Sequence, residues 1–341
     1  MKHYDLALLG FGNVGKALAR LLLRKRETLL KEYGITFSIT GIATAQHGIA
    51  IQPRGIDLEH ALQLSSSGGH LNELSVEPHL VDPFEFIQNC AADVLFESTP
   101  VNYADGQPAV NYLRAALNAG RHAITANKGP VVHAYQELAD LATAQGRKFF
   151  FESAVMDGAP IFSLFRYSLP AVELQGFSGI LNSTTNLILT RMEAGESFST
   201  AVAYAQSIGI AETDPSGDID GWDAAVKVAA LVTVLMGFPL KPDQVERAGI
   251  RDITSEDVLQ ARQQDQRWKL VCSADRQADQ VTARVAPQLV GSDSPLYGVN
   301  GTSSVVTFVS DVLPQLSIVE GNPGPETTAY GLLADFINAT R

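Results

Sequence analysis

Gly10-Phe11-Gly12-Asn13-Val14-Gly15 stands between an apolar strand candidate, Y-D-L-A-L-L (residues 4–9), and a helical run, A-L-A-R-L-L-L-R-K-R-E-T-L-L (17–30). Each glycine has a distinct use at such a strand-to-helix turn. Gly10 permits the tight turn, Gly12 lets the backbone approach a pyrophosphate, and Gly15 allows the helix to pack closely on the strand. The N-terminus of the following helix adds free N–H groups and a dipole that favours phosphate. The pattern predicts a dinucleotide-binding unit with residues Gly10, Phe11, Gly12, Asn13, Val14 and Gly15 at the cofactor.

Strand and helix signals keep alternating outward from this turn. Apolar strand candidates lie at 6–9, 37–43, 93–98, 122–126 and 148–155, with periodic helices such as A-V-N-Y-L-R-A-A-L-N-A-G (109–120) and Y-Q-E-L-A-D-L-A-T-A-Q-G (135–146) between them. Those two helices run into Gly120 and Gly146, as helix C-termini often do. This alternation predicts a parallel sheet covered on both faces. The pattern changes after 155. Residues 156–240 read as mostly helical, with one strand candidate at 174–181, and short β-rich pieces follow between 269 and 320. The segment A-Y-G-L-L-A-D-F-I-N-A (329–339) is helical again.

At 341 residues the chain suits two domains. Its 45% apolar and 18% charged residues exclude a disordered chain. A net charge of −12 argues against nucleic-acid backbones and anionic membrane surfaces as partners. Cys90 and Cys272 are the two cysteines, far apart and without metal-ligand spacing, which fits a reducing cytoplasm. No signal peptide opens the sequence, and the apolar run near 228–238 is too short to span a bilayer.

In open parallel sheets, ligands bind at the carboxyl ends of the strands. Glu97-Ser98-Thr99-Pro100 and Lys128, in the segment T-A-N-K-G-P (125–130), close two such strands and are expected to border the nicotinamide end of the cofactor. NAD-specific sites usually place a carboxylate after the second strand, to bond the ribose 2′-hydroxyl. Here that strand ends Ala43-Thr44-Ala45-Gln46-His47, with no acid and no arginine before Arg54. NADP is therefore modestly favoured over NAD.

The segment E-T-D-P-S-G-D-I-D-G-W-D-A-A-V-K (212–227) sets five carboxylates, Glu212, Asp214, Asp218, Asp220 and Asp223, before Lys227. Asp223 and Lys227 are four apart at the start of an apolar helical run, so they share a face. The stretch from Ser216 mimics half a calcium-binding loop. Its twelfth position, however, is Lys227, where a bidentate glutamate is needed, so calcium is repelled. A polar substrate pocket with a positioned ammonium group fits better.

With G-F-G-N-V-G, T-A-N-K-G-P, G-I-L-N-S-T-T-N (179–186) and the acidic segment in this order, the chain resembles the homoserine dehydrogenases over nearly its whole length. The segment 321–329 is similar to the family's glycine-rich return to the cofactor, which adds Gly324 and Glu326 to the expected cofactor contacts. The resemblance implies an α/β fold, with a Rossmann-type dinucleotide-binding domain (1–150 plus 321–341) and an inserted α+β domain (151–320) for substrate binding and dimerisation. The sequence stops soon after the return segment, which matches a short form without the C-terminal ACT regulatory domain.

The implied activity is NAD(P)-dependent interconversion of L-homoserine and L-aspartate 4-semialdehyde by a cytoplasmic homodimer. This step belongs to threonine, methionine and isoleucine biosynthesis. Reducing an aldehyde creates an alkoxide that needs a nearby cation or acid. By resemblance Lys227 is the proton donor and Lys128 a second ammonium group near substrate and nicotinamide, with Asp223 beside Lys227. Glu212 and Asp218 are the implied counter-charges for the substrate's α-ammonium group, and Thr184 lies in the substrate-proximal turn.

The stretch F-E-S-A-V-M-D-G-A-P (151–160) resembles the family's sodium loop, which maps the ion onto Glu152, Val155, Asp157 and Ala159. Met156-Asp157 depart from the small residues usual in that loop, and Ser183 stands where glycine is common in the substrate turn. Two alternatives stay open at this point: a related amino-acid-pathway reductase, and a cofactor-binding sensor without catalysis. Retention of both lysines and the acidic segment speaks against the sensor. Aspartate semialdehyde dehydrogenase is disfavoured, since neither cysteine has a recognisable nucleophile setting.

Overall fold

Strand β1 (Lys2–Leu9) carries Leu6-Ala7-Leu8-Leu9, buried end to end as a strand covered on both faces requires. Leu6 and Leu8 join one apolar cluster with Leu18, Leu22 and Phe96, whereas Ala7 and Leu9 join another with Ile49, Phe86 and Leu95. The computed structural model describes residues 1–76 and 80–341. In its first part the chain continues through α1 (Asn13–Tyr33), β2 (Ile35–Thr44), β3 (Gly48–Ile51), α2 (Leu58–Ser67), α3 (Pro83–Asn89) and β4 (Val94–Glu97). It goes on through α4 (Ala109–Asn118), β5 (His122–Thr125), α5 (Lys128–Ala144) and β6 (Phe149–Phe150).

The sheet order is β3-β2-β1-β4-β5-β6, parallel except for the β2–β3 pair. From β1 the chain moves outward to β2 and later returns to β4 on the other side of β1. That reversal is the switch point where open α/β sheets bind ligands. The antiparallel β3 was not expected, because G-I-A-I is short and follows the turn at 45–47 directly.

A second sheet, in the order β12-β11-β7-β9-β10-β8, organises the middle of the chain. Its strands are β7 (Leu174–Ile180), β8 (Glu246–Arg247), β9 (Gln266–Gln277), β10 (Gln280–Gly291), β11 (Ser304–Ser310) and β12 (Leu316–Glu320). Pairing is antiparallel apart from β8 on β10. The helices are α6 (Ser183–Glu193), α7 (Phe198–Ser207), α8 (Ser216–Ile219), α9 (Trp222–Leu235) and α10 (Ser255–Gln263). Helix α9 packs on β9 and β10 and is buried on nearly every side from Asp223 to Thr233, which explains its almost uniformly apolar sequence.

The last helix, α11 (Pro325–Thr340), rejoins the first sheet, where Phe336 packs edge-on against Tyr4 and Phe96. The chain thus forms two compact units, residues Met1–Pro160 with Gly324–Arg341, and residues Ile161–Pro323. The first unit runs past the expected boundary at 150 because 151–160 is tied to α11. Glu152 N–H donates to Asp335 Oδ2 (2.6 Å), Ser153 Oγ to the Thr328 carbonyl (2.7 Å), and Thr327 Oγ1 to Asp157 Oδ2 (3.0 Å). The same ties end the strand candidate 148–155 at Phe150, where the chain turns into a short 3-10 segment, Glu152–Ala154. Among the described residues no helix is long and apolar enough to cross a membrane.

Candidate active site

The three glycines of the first unit differ in backbone angle and in the space around them. Gly10 adopts φ +104°, donates its N–H to the Ala43 carbonyl (2.9 Å) and accepts from Ser98 Oγ (3.2 Å). A Cβ on Gly15 would lie 2.3 Å from the Gly10 carbonyl oxygen, so α1 sits directly on the loop. A Cβ on Gly12 would meet no protein atom within 4 Å. Gly12 also begins α1 with no side-chain cap and no acidic residue in the first turn. A helix N-terminus without a side-chain cap or first-turn acid leaves its first N–H groups available to an anion. Phe11 is buried in the core and can border such a ligand only with its backbone, while Asn13 is exposed and Val14 half-buried. At the end of β2, Thr44 Oγ1 accepts from the Gln46 N–H (3.2 Å).

The loops after β4 and β5 are joined through Glu97, the last residue of β4. Its carboxylate is fully buried and accepts from Thr99 N–H (2.7 Å), Thr99 Oγ1 (2.5 Å) and Thr125 Oγ1 (2.5 Å). Burial pushes its pKa up, and the bonds from Thr125, Thr99 and Asn127 oppose that rise. Asn127 continues the chain: its N–H donates to Thr125 Oγ1 (2.9 Å), and its Oδ1 caps α5 through the Gly129 N–H (2.9 Å). Lys128, half-buried, is the first residue of that helix, with Nζ 5.8 Å from the Tyr103 ring centre. Glu97→Ala strands these donors, so it is expected to cost about 3 kcal/mol or more in urea unfolding. Glu97→Gln keeps an acceptor and is expected to lose far less.

In the second unit the five carboxylates separate. Asp223 and Lys227 meet across one helical turn, Oδ2 to Nζ 3.0 Å, with side chains 8% and 16% exposed. Lys227 Nζ also donates to the Leu181 carbonyl (2.6 Å). Asp218 faces Asp223, and Asn182 Nδ2 donates to both, at 2.6 Å and 3.0 Å. Burial raises the pKa of Asp218, and the neighbouring charge of Asp223 raises it further; Asn182, Thr184 and Lys227 pull it back. Thr184 is buried, and its hydroxyl reaches the Ile210 carbonyl (3.3 Å) as well.

The remaining three acids do not enter this cluster. Asp220 turns to Arg251 (2.9 Å) and receives Arg247 on its backbone carbonyl. Asp214 is exposed and caps the Ser216 N–H (3.1 Å). Glu212 is exposed, and Gln206 Nε2 binds its backbone carbonyl (3.1 Å).

Asn182 is a residue missed in sequence, although its place was marked. It is the N-cap of α6, accepting the Thr185 N–H (2.8 Å), and Asn three residues before a threonine at a helix start is a capping signal. Cys272 is fully buried, its thiol pushed up to about 12 by that burial, and Cys90 is buried and raised as well. Neither is a nucleophile.

Of the other expected residues, Glu326 is exposed with Arg24 at 4.0 Å, and the Gly324 N–H donates to Thr327 Oγ1 (2.8 Å). In the loop 151–160, Glu152, Val155 and Ala159 are buried, and the Ala159 N–H donates to the Met156 carbonyl (2.9 Å). Met156 and Asp157 both take left-handed backbone angles, φ 53° and 46°, which glycine adopts freely and aspartate more readily than methionine.

The family model described as homoserine dehydrogenase matches residues 160–337, and that of the homoserine dehydrogenase NAD binding domain matches 10–152. The chain belongs to the homoserine dehydrogenase family. The NAD(+)-dependent homoserine dehydrogenase of Pseudomonas canavaninivorans is 36% identical, covering 99% of this chain and 96% of its own. The homoserine dehydrogenase of Methanocaldococcus jannaschii is also 36% identical, covering 98% of each. Among solved structures, a putative homoserine dehydrogenase from Archaeoglobus fulgidus superposes with TM-score 0.86 at 30% identity, covering 98% of both chains. A hyperthermophilic archaeal homoserine dehydrogenase in complex with NADPH reaches 0.84 at 28% identity, covering 99% of this chain and 98% of that one. The first unit is thus the NAD-binding domain of a homoserine dehydrogenase, an oxidoreductase.

Proposed function

We propose that the protein interconverts L-homoserine and L-aspartate 4-semialdehyde, in the biosynthesis of threonine, methionine and isoleucine from aspartate. The observation that carries this reading is the ammonium group of Lys227, held by Asp223 and the Leu181 carbonyl beside a second, half-buried carboxylate, Asp218. When bound, the nicotinamide cofactor carries the hydride. Gly10, Gly12 and Gly15 with the first turn of α1 hold its pyrophosphate, and Ser98, Thr99, Pro100 and Lys128 border the nicotinamide end. An ammonium group has three N–H donors. Two of those on Lys227 are directed to Asp223 and Leu181, which leaves one for the substrate oxygen that gains a proton in reduction and loses it in oxidation. Asp218 and Asp223 take the substrate's α-ammonium group, with Glu212 a further contact from the exposed loop and Thr184 lining the turn. Lys128 is a second cation for the developing alkoxide.

NADP is the favoured cofactor, because no carboxylate follows β2 to repel a 2′-phosphate. The P. canavaninivorans relative is NAD(+)-dependent. Absorbance of NADPH and NADH, followed with homoserine as substrate, tests both points. Turnover with a higher kcat/KM for NADP is expected. No homoserine-dependent turnover with either cofactor overturns the function, and a large preference for NAD overturns the specificity.

The second unit is also proposed to carry the contact of a cytoplasmic homodimer. Supporting this, β12 is an edge strand with Val319 65% exposed, and nearby Val312 is 61% exposed. A monomeric mass in analytical ultracentrifugation would refute it. Sodium at Glu152, Val155, Asp157 and Ala159 rests on the loop's resemblance and on oxygen donors that suit hard cations. Raising sodium against choline is expected to raise the melting temperature, and no difference removes the ion from the account.

A further inference from the structure

The amide of Asn182 cannot rotate end for end. Its Oδ1 accepts from the Thr185 N–H (2.8 Å), a backbone group that can only donate, and from Thr185 Oγ1 (2.8 Å). The Nδ2 end is thereby forced toward the carboxylates, where it reaches Asp218 Oδ1 at 2.6 Å and Asp223 Oδ2 at 3.0 Å. Asn182 is 3% exposed and Asp223 6%, so water cannot cheaply replace the bond between them; Asp218 is half-buried. The residue before it, Leu181, supplies the carbonyl that holds Lys227. We propose that Asn182 is a positioning residue of this site: a fixed double donor that sets Asp218 and Asp223 side by side as a paired acceptor for a substrate ammonium group. The inference rests on the proposed reaction only in naming that substrate group.

Two like charges so close oppose each other. The groups facing Asp218 are Asp223 and Lys227 on α9 and the side chains of Asn182 and Thr184 at the start of α6; Cys272 on β9 lies near Asp223 and Lys227. Of these, Asn182 is the neutral donor bonded to both acids. Without it, Asp218 holds its proton to higher pH, and an uncharged acid no longer attracts an ammonium group.

Two variants separate positioning from capping. Asn182→Asp keeps an oxygen for Thr185, and aspartate caps helices as well as asparagine. It replaces the double donor by a third acid. Asn182→Ser keeps a cap but does not reach the carboxylates. In both, the homoserine KM is expected to rise on the order of ten- to a hundredfold, the size of a lost hydrogen bond to a charged group. The acid limb of kcat/KM should move to higher pH, with the KM for NAD(P) unchanged. A wild-type KM and pH profile in both variants overturns the proposal, as does an equal rise in both KM values. Carboxyl ¹³C titration of the aspartates gives a reading that needs no activity. An Asp218 midpoint displaced upward in Asn182→Ser supports the proposal, and an unmoved midpoint overturns it. A wild type without homoserine turnover would defeat the proposed reaction while leaving this titration to decide the role of Asn182.

Discussion

Lys227→Ala is expected to lower kcat with homoserine by about 10²–10⁴-fold, the usual contribution of a positioned acid or base. The KM for NAD(P) should hold, since the bonds of Lys227 are to residues of its own unit, Asp223 and Leu181. Removing the ammonium also leaves the buried Asp223 with one cation fewer, so a lower melting temperature should accompany the loss. Steady-state rates at saturating homoserine measure the effect. A Lys227→Ala enzyme at full rate removes the proton-donor role. Lys128→Ala decides between the two lysines: a larger fall in kcat there, with only a raised homoserine KM in Lys227→Ala, would exchange their assignments.

The second large effect is expected in the glycine turn, where three similar substitutions should fail differently. Gly10→Ala puts a side chain at φ +104° with its Cβ 2.6 Å from the Ser98 carbonyl oxygen, so it should cost about 3 kcal/mol or more in stability. Gly15→Ala drives a methyl group to 2.3 Å from the Gly10 oxygen, a backbone atom that cannot swing aside, and should cost about 1–3 kcal/mol. Gly12→Ala meets no protein atom, and φ −78° suits any residue. It should fold nearly as well as the parent yet bind NADPH on the order of ten- to a hundredfold more weakly, its methyl group standing where the pyrophosphate approaches. Urea unfolding and NADPH fluorescence titration measure the two quantities separately. Parental NADPH affinity in a folded Gly12→Ala protein would remove the pyrophosphate from this turn.

What could be read in the sequence follows from period and turn chemistry. The apolar run of β1, the glycines at 10 and 15, and the spacing of Asp223 and Lys227 each obey a local rule, and the structure places them accordingly. The sorting of the acids obeys none. Between Pro215 and Gly221 the chain has no sustained period, and the partners that decide the outcome are remote. Asn182 lies 36 and 41 residues from Asp218 and Asp223, and Arg251 lies 31 from Asp220. The bonding role of Glu97 was hidden for a similar reason. An acid closing an apolar strand reads as an exposed strand end until Thr125, 28 residues on, is seen to bond it. The truncated strand at 148–155 was equally out of reach, since its end is set by residues of α11.

The return of α11 to the first sheet has a consequence for synthesis on the ribosome. Residues 161–323 are one continuous segment and can fold as soon as they emerge. The first 160 residues cannot close their core at that stage, because Leu332, Leu333 and Phe336 have not yet been translated. The part made first is therefore completed last. During that interval its apolar face, from Leu18 and Leu22 to Phe96, stays open to chaperones and to aggregation. The nascent protein should accordingly gain affinity for the dinucleotide only once α11 has left the exit tunnel.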